Sequence, residues 1–411
     1  MVLVKESLTP RSSSWMASRC PKHQPIIAFF VIFLAVISAS AAVSTDKRIA
    51  ARVQRLNKPS NKTIQSPDGD LIDCVPWHLQ PAFDHPKLRG QNPMRPPERP
   101  RGEDTSSKPA VEMQTWRNTG EDCPEGTVPI RRTTEQDVLR ASSLRIFGKK
   151  PAVTTRRNSA AGNHEHAVGF ANGEFFGAKA SLSVWNPSVS VSAEFSLSQI
   201  WLISGSFARD LNTIEAGWMV SPRLYGDTHP RFFTYWTSDS YERTGCYNLL
   251  CSGFVQISSK VAVGASISPT SVYGRRQFDI TLLVWKDPKF GNWWLELGSG
   301  ELVGYWPSCL FSHLAGGAKM VQFGGEIVNT RPSGSHTSTQ MGSGHFAAEG
   351  FGRAAYFRNV EVVDWENSLV PLSGIRVLAD HPTCYDVGTG VNRVLGIYVY
   401  YGGPGRNTMC P

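Results

Sequence analysis

From Asn163 to the C-terminus the chain is a succession of short β-prone runs separated by Gly, Pro, Asn and Ser turns, with little helical periodicity. Such runs occur at 199–207, 231–237, 253–265, 277–285, 293–297, 319–328 and 395–401. Between Val189 and Ser198, the residues Val189, Val191, Ala193, Phe195 and Leu197 alternate with Ser190, Ser192, Glu194, Ser196 and Ser198. That alternation predicts a strand with one buried and one wet face. Many strands at short spacing predict an all-β fold, an antiparallel β-sandwich of two sheets closed by large aromatic side chains. No internal repeat of propeller or solenoid period is present.

The 411 residues leave room for about two domains, and the composition changes along them. Up to Arg157 there are 25 Lys+Arg against 15 Asp+Glu, a balance of +10; the remainder holds 17 against 19, a balance of −2. The overall charge of +8 therefore belongs to the front. A body without a basic stripe argues against nucleic-acid binding. Within the front, Pro93-Met-Arg-Pro-Pro-Glu-Arg-Pro-Arg101 reads as extended and irregular, and a short helix is predicted to begin at Thr134 with acidic residues in its first turn. Asn61-Lys62-Thr63 is a glycosylation sequon. Lys149-Lys150 and Arg156-Arg157 read as an exposed basic linker of the kind proteases cut, with Arg156 and Arg157 as the expected cleavage site.

An apolar run over Pro25–Ser38, preceded by Lys5, Arg11, Arg19 and Lys22 and followed by Ala39-Ser40-Ala41, predicts a secretory signal peptide. An uncleaved signal anchor is the alternative, and membrane contact is expected through that route alone. Secretion makes the eight cysteines candidates for bridging rather than for metal or redox work. Cys20 leaves with the signal. Cys246 and Cys251 are close enough to staple one loop, Cys384 with Cys410 would tie the last segment to the body, and Cys74 and Cys123 could pair in the front. Cys309 is then left over and is expected as a buried structural thiol. No zinc-type ligand spacing occurs, and no cofactor is expected.

Two glutamates stand in strand-like apolar settings, Glu215 in Asn-Thr-Ile-Glu-Ala-Gly-Trp and Glu326 in Gln-Phe-Gly-Gly-Glu-Ile-Val-Asn-Thr. A carboxylate there is costly to bury unless its chemistry is used. Period-2 alternation groups Glu215 with Thr213, Gly217 and Met219, with Trp218 pointing to the core, and Glu326 with Gln322, Gly324 and Val328. Each glutamate has a glycine on its own face, leaving room for a substrate backbone. Gln322 and Thr213 are the expected substrate-holding residues. Glu194, Glu296 and Asp279 read as solvated positions. His164-Glu-His166 lacks a third ligand at suitable spacing for a metal, no Gly-x-Ser-x-Gly frames a nucleophilic serine, and His345 reads as a hydrogen-bonded turn residue.

The chain resembles the neprosin family, a largely plant group of secreted glutamic endopeptidases, over about residues 60–411. The resemblance is carried by Asp70-Leu-Ile-Asp-Cys74, Gln80-Pro-Ala-Phe-Asp-His85, Cys123-Pro-Glu-Gly-Thr-Val-Pro-Ile-Arg-Arg132, His164-Glu-His-Ala-Val168 and Ile214-Glu-Ala-Gly-Trp218. It continues through Leu224-Tyr-Gly-Asp227, Thr244-Gly-Cys-Tyr-Asn248, Gly324-Gly-Glu326, Thr339-Gln-Met-Gly-Ser-Gly-His345 and Tyr401-Gly-Gly-Pro-Gly405. It implies a signal peptide over 1–42, an activation peptide over 43–157 and a peptidase domain over 158–411. It also implies a catalytic pair at Glu215 and Glu326, 111 positions apart, and disulfides Cys246–Cys251 and Cys384–Cys410. The implied activity is cleavage after proline under acidic conditions, with proline-containing peptides and the chain's own activation peptide as partners. The product would be extracellular, in a cell wall or an acidic fluid. Opposite charge is expected to help hold the front on the body until acid weakens the attraction. A non-catalytic wall-binding or carbohydrate-binding sandwich and a glycosidase are the rival readings.

Overall fold

Alternating apolar and polar positions fold the body into two antiparallel sheets packed face to face. The computed structural model describes residues 47–102, 113–141, 147–150, 163–207, 209–298, 300–331 and 335–411. The signal run, Cys20, Arg156 and Arg157 lie outside them. Residues 49–411 form one unit.

The front contributes β1 (Lys62–Gln65), β2 (Leu71–Pro76) and β3 (Thr127–Arg131), a three-stranded antiparallel sheet in that order. The body contributes β4 (Asn163–Phe175), β5 (Gly177–Ser183), β6 (Ser196–Ser204), β7 (Asn212–Val220), β8 (Arg231–Thr237), β9 (Cys246–Tyr247), β10 (Val255–Gln256) and β11 (Asp279–Lys286). It continues with β12 (Trp293–Leu297), β13 (Glu301–Trp306), β14 (Ala318–Asn329), β15 (Ala355–Val363), β16 (Leu369–Pro371), β17 (Arg376–Ala379), β18 (Asp386–Asn392) and β19 (Gly396–Gly402). The seven-stranded sheet runs β17-β4-β14-β6-β7-β8-β9; the nine-stranded sheet runs β10-β13-β12-β11-β5-β15-β19-β18, with β16 paired to β15.

Their inner faces make the main core. Ile214, Ala216, Trp218 and Val220 of β7 and Val321, Phe323 and Ile327 of β14 come from one side; Leu282 and Val284 of β11, Leu295 of β12 and Trp306 of β13 come from the other. Each of the Val, Leu, Ile and Phe side chains among these stabilises the sandwich by roughly 1.5–3 kcal/mol. Because strand side chains alternate, filling this core turns Glu215 and Glu326 outward from the seven-stranded sheet.

The strand expected across 189–198 is absent: Val184 to Phe195 is loop and turn, and β6 begins at Ser196. Its backbone N–H groups go elsewhere, Ser188 donating to Gln340 Oε1 at 3.0 Å and Ser190 to Thr339 Oγ1 at 2.9 Å. Glu194 is accordingly not solvated but fully buried. It accepts from Thr330 N at 3.0 Å, Thr330 Oγ1 at 2.9 Å, Thr337 Oγ1 at 2.6 Å and Thr339 Oγ1. Burial opposes its ionisation, but these hydroxyl and amide donors outweigh that and hold its carboxyl below the usual range. Glu296, also expected in solvent, is buried and paired with Arg99 at 2.9 Å; Asp279 is half-buried and bridged to Arg358 at 2.7 Å. Of the run at 253–265 only Val255–Gln256 is strand; beyond it Ala262 is engaged by Gln114 and Val263 by Ile130 of the front, while Ile257 N and Gly264 N donate to Val303 O and Phe232 O.

The front is less irregular than its composition implies. Residues 91–100 carry no regular structure, yet the small sheet is stapled by Cys74–Cys123, and the helix Glu135–Arg140 is capped by Thr134. The cap is reciprocal: Asp137 N donates to Thr134 Oγ1 at 3.1 Å and Thr134 N to Asp137 Oδ2 at 2.8 Å. Such a cap contributes about 1 kcal/mol. Cys246–Cys251 and Cys384–Cys410 are bridged. Cys309 is exposed rather than buried, since it sits in a 3-10 turn on the surface. Among the described residues no helix is long and apolar enough to cross a membrane.

Candidate active site

Glu215 on β7 and Glu326 on β14 flank β6. Strand register puts Gln322, Trp201 and Glu215 in one row, Gly324, Gln199 and Gly217 in the next, and Glu326, Leu197 and Met219 in the third. The two glutamates therefore lie diagonally across Gln199, which is framed by the two glycines. A Cβ on Gly217 would fall 1.9 Å from Ser198 O, and one on Gly324 would fall 2.2 Å from Ala167 O, so backbone contact keeps this floor bare.

Both carboxyl groups are buried, and one ammonium holds them. Lys150 Nζ lies 2.6 Å from Glu215 Oε2 and 3.5 Å from Glu326 Oε2, so these two oxygens are at most about 6 Å apart, as the two legs through Nζ require. Lys150 was expected in an exposed linker; its side chain is instead 4% exposed, with Trp201, Tyr235 and Tyr241 rings at 5.7, 5.3 and 5.5 Å. The segment that delivers it is bound through backbone: Tyr247 N donates to Gly148 O at 2.8 Å, and Lys150 N donates to Tyr235 Oη at 3.2 Å. Gly148 has φ +77°, and a Cβ there would sit 2.8 Å from Leu250 Cβ, so a glycine is needed for this approach.

The remaining donors divide between the pair. Glu215 Oε1 accepts from Thr213 Oγ1 at 2.8 Å and Tyr241 Oη at 3.0 Å. With its amide oriented to accept from Trp201 Nε1 at 2.8 Å, Gln199 donates to Glu215 Oε2 at 3.3 Å. Glu326 Oε1 is bonded to His164 Nδ1. Burial penalises the Glu326 carboxylate, but Lys150 and then His164 outweigh it and hold its pKa far below the usual range. For Lys150, burial works against the charge, and Glu215 and Glu326 more than restore it. Burial and the charge of Glu215 push the Tyr241 phenol well up, so it stays a donor at any working pH.

Of the expected substrate-holding residues, Thr213 is a ligand of Glu215. Gln322 shares the outward face but sits two rows from Glu326, its amide donating to Met320 Sδ at 3.1 Å. His164 and His166 fall on the glutamate face of β4, beside Val328 and Glu326, but His166 Nδ1 pairs with Asp380 at 2.9 Å, so the two imidazoles serve different carboxylates. Trp218 is core as expected, its Nε1 donating to Ser183 O at 2.9 Å. His345 pairs with Glu349 at 3.0 Å. Lys150, Gln199, Trp201 and Tyr241 escaped the sequence reading. Only the first carried a signal, a lysine following Phe147-Gly148, and that signal reads equally as a processing site.

The arrangement offers two carboxylates that can hold either one ammonium or, without it, a shared proton. Residues 192–404 match the neprosin family, and residues 63–170 match the neprosin activation peptide. Distant likeness extends to scytalido-glutamic peptidase with a peptide-based transition state analog, at 13% identity and TM-score 0.31, covering 59% of this chain and 98% of that one. It extends also to SCP-B, a member of the Eqolisin family of peptidases in complex with the tripeptide Ala-Ile-His, at 13% identity and TM-score 0.29, covering 58% and 97%. The match over 192–404 spans just over half of the sequence, and the chain belongs to the neprosin family.

Proposed function

We propose that the chain is the precursor of a secreted, acid-active glutamic endopeptidase that hydrolyses peptide bonds on the C-terminal side of proline, with Glu215 and Glu326 as its acid/base pair. One observation carries the reading: two buried carboxylates on the outward sheet face are bridged by a single buried lysine that comes from the activation peptide.

With Lys150 withdrawn, two carboxylates this close in a buried site do not both ionise, and one proton is shared between them. The ionised partner takes a proton from water as the water oxygen attacks the scissile carbonyl carbon. The protonated partner donates a hydrogen bond to the developing oxyanion. When the C–N bond breaks, the proton gained by the first carboxyl passes to the leaving nitrogen, and the pair returns to its starting state. Thr213, Tyr241 and Gln199 orient Glu215, and His164 orients Glu326. Gln322, less tightly engaged, is the residue available to a peptide backbone.

The proposed signal peptide and carbohydrate at Asn61, which is exposed beside β1, belong to the same reading. The test is incubation of processed protein with a proline-containing peptide at pH about 3 beside Glu215→Gln and Glu326→Gln. Cleavage by the parent and loss in both variants supports the reading. Cleavage retained in both variants overturns the chemistry, absence of cleavage by the parent favours a binding module, and sugar release favours a glycosidase.

A further inference from the structure

The front region holds the body at two places on opposite faces of the sandwich. One is the lysine at the glutamate pair, on the outward face of the seven-stranded sheet. The other is the outward face of the nine-stranded sheet, where Leu283 and Trp285 of β11, Trp294 of β12, Tyr305 of β13, Val255 of β10 and Val363 of β15 form a buried apolar wall. Ala82 and Leu88 of the front are buried against it, with Phe83 and Met94 packed alongside.

Polar contacts fix this second hold in register. Gln80 Oε1 accepts from Gln256 N at 2.7 Å, and Gln80 Nε2 donates to Gln256 O at 3.0 Å. Gln114 treats Ala262 in the same way, at 2.8 and 2.7 Å. Each glutamine thus satisfies both backbone groups of one body residue, as a neighbouring strand would. Trp285 Nε1 donates to Glu98 O at 3.1 Å, and Met94 N donates to Tyr305 Oη at 3.1 Å. On the other sheet, beside the first hold, Asp70 reaches the buried Arg231 of β8 at 2.5 Å. No disulfide among the described residues joins front to body: Cys74–Cys123 lies within the first, Cys246–Cys251 and Cys384–Cys410 within the second.

We infer that cutting the chain between Lys150 and Asn163 does not release the front region: it stays seated on the aromatic wall as a non-covalent subunit, still presenting Lys150 to the glutamates. Cleavage and dissociation are then separate steps, and the wall is the surface that governs the second. The apolar contacts and the Gln80 clamp on β10 belong to the nine-stranded sheet, whereas Lys150 sits on the seven-stranded one. An apolar face of this kind, left bare, would be an association surface on the mature body.

The test uses the full chain with a specific protease site inserted between Arg157 and Asn158, cut at pH about 7.5 and run on size exclusion at about 1 μM in 0.15 M salt. The two pieces are expected to co-elute with unchanged tryptophan emission, and a Lys150→Ala chain is expected still to co-elute, its association weakened by the uncompensated glutamates but not lost. Leu88→Ala should weaken the association of the cut pieces by about thirtyfold or more, the effect of truncating a buried leucine. Separation of the parent pieces at this concentration overturns the inference. So does a hold that Lys150→Ala abolishes and Leu88→Ala leaves intact. Neither outcome depends on peptide hydrolysis, so the inference and the proposed activity fail independently.

Discussion

Lys150 Nζ sits 2.6 Å from Glu215 Oε2 with both side chains buried, although 65 positions separate them in the chain. Its second leg, to Glu326, makes it the counter-charge for two carboxylates at once. Removing it leaves a buried anionic pair without compensation, which costs on the order of 3–5 kcal/mol at neutral pH. Lys150→Met is therefore expected to melt well below the parent at pH 7. The sign with pH also reverses. Without the ammonium one carboxyl of the pair has a raised pKa, so the variant should gain stability on acidification. Thermal melts of parent and variant between pH 7 and 4 check both points; parallel curves would contradict them.

Glu326 carries the complementary prediction for the parent. Its pKa is depressed in the closed precursor, against burial, by Lys150 and His164. A depressed carboxylate stabilises the closed form above its ordinary pKa, about 4.3, and that contribution drains away as pH falls below it. The amide of Tyr247, which donates to Gly148 O, reports whether the segment is seated. Its hydrogen-exchange protection, corrected for intrinsic rate, should fall between pH 5 and 3. Constant protection over that range would rule out acid release of Lys150.

Tyr241 and Thr213 both donate to Glu215 Oε1, and hydrogen bonds to a charged group are worth about 1.5–3 kcal/mol. Tyr241→Phe is expected to lower kcat of the processed protein by about tenfold or more, with KM little changed. Loss confined to KM would instead place Tyr241 on the substrate.

Glu194 tests how a polar-looking residue is used. It is buried beneath Thr330, Thr337 and Thr339 on the loop after β14. Glu194→Ala strands these donors and is expected to cost about 2–3 kcal/mol in denaturant unfolding, while Glu174→Ala, on an exposed ion pair with Lys319, changes stability by less than about 0.5 kcal/mol. Equal effects would return Glu194 to the surface.

Much of the candidate site's layout was readable because Glu215 and Glu326 interrupt otherwise apolar alternation and each has a glycine on its own face. Local pattern also marked the start of a short helix at Thr134 and placed Trp218 in the core. What escaped depends on partners remote in sequence. Lys149-Lys150 reads as a processing site until Glu215 is seen to receive the second lysine. Glu194 alternates with serines as a wet-face residue would, and only the threonines of 330–339 turn it inward. Residues 253–265 look like a strand, but beyond Gln256 their backbone is taken up partly by Gln114 and Ile130 of the front and partly by Val303 and Phe232. Gln199 lies in a run buried throughout, so nothing local separates it from core.

The central claim is that Glu215 and Glu326 act as one unit on one proton. Peptide hydrolysis by processed Glu215→Gln, Glu326→Gln and the double variant tests it most directly. Each single change is expected to lower kcat by about a thousandfold, within the range for lost acid–base catalysis, and the double variant to be no worse than the slower single. Losses that multiply in the double variant, or either single variant within tenfold of the parent, would contradict it.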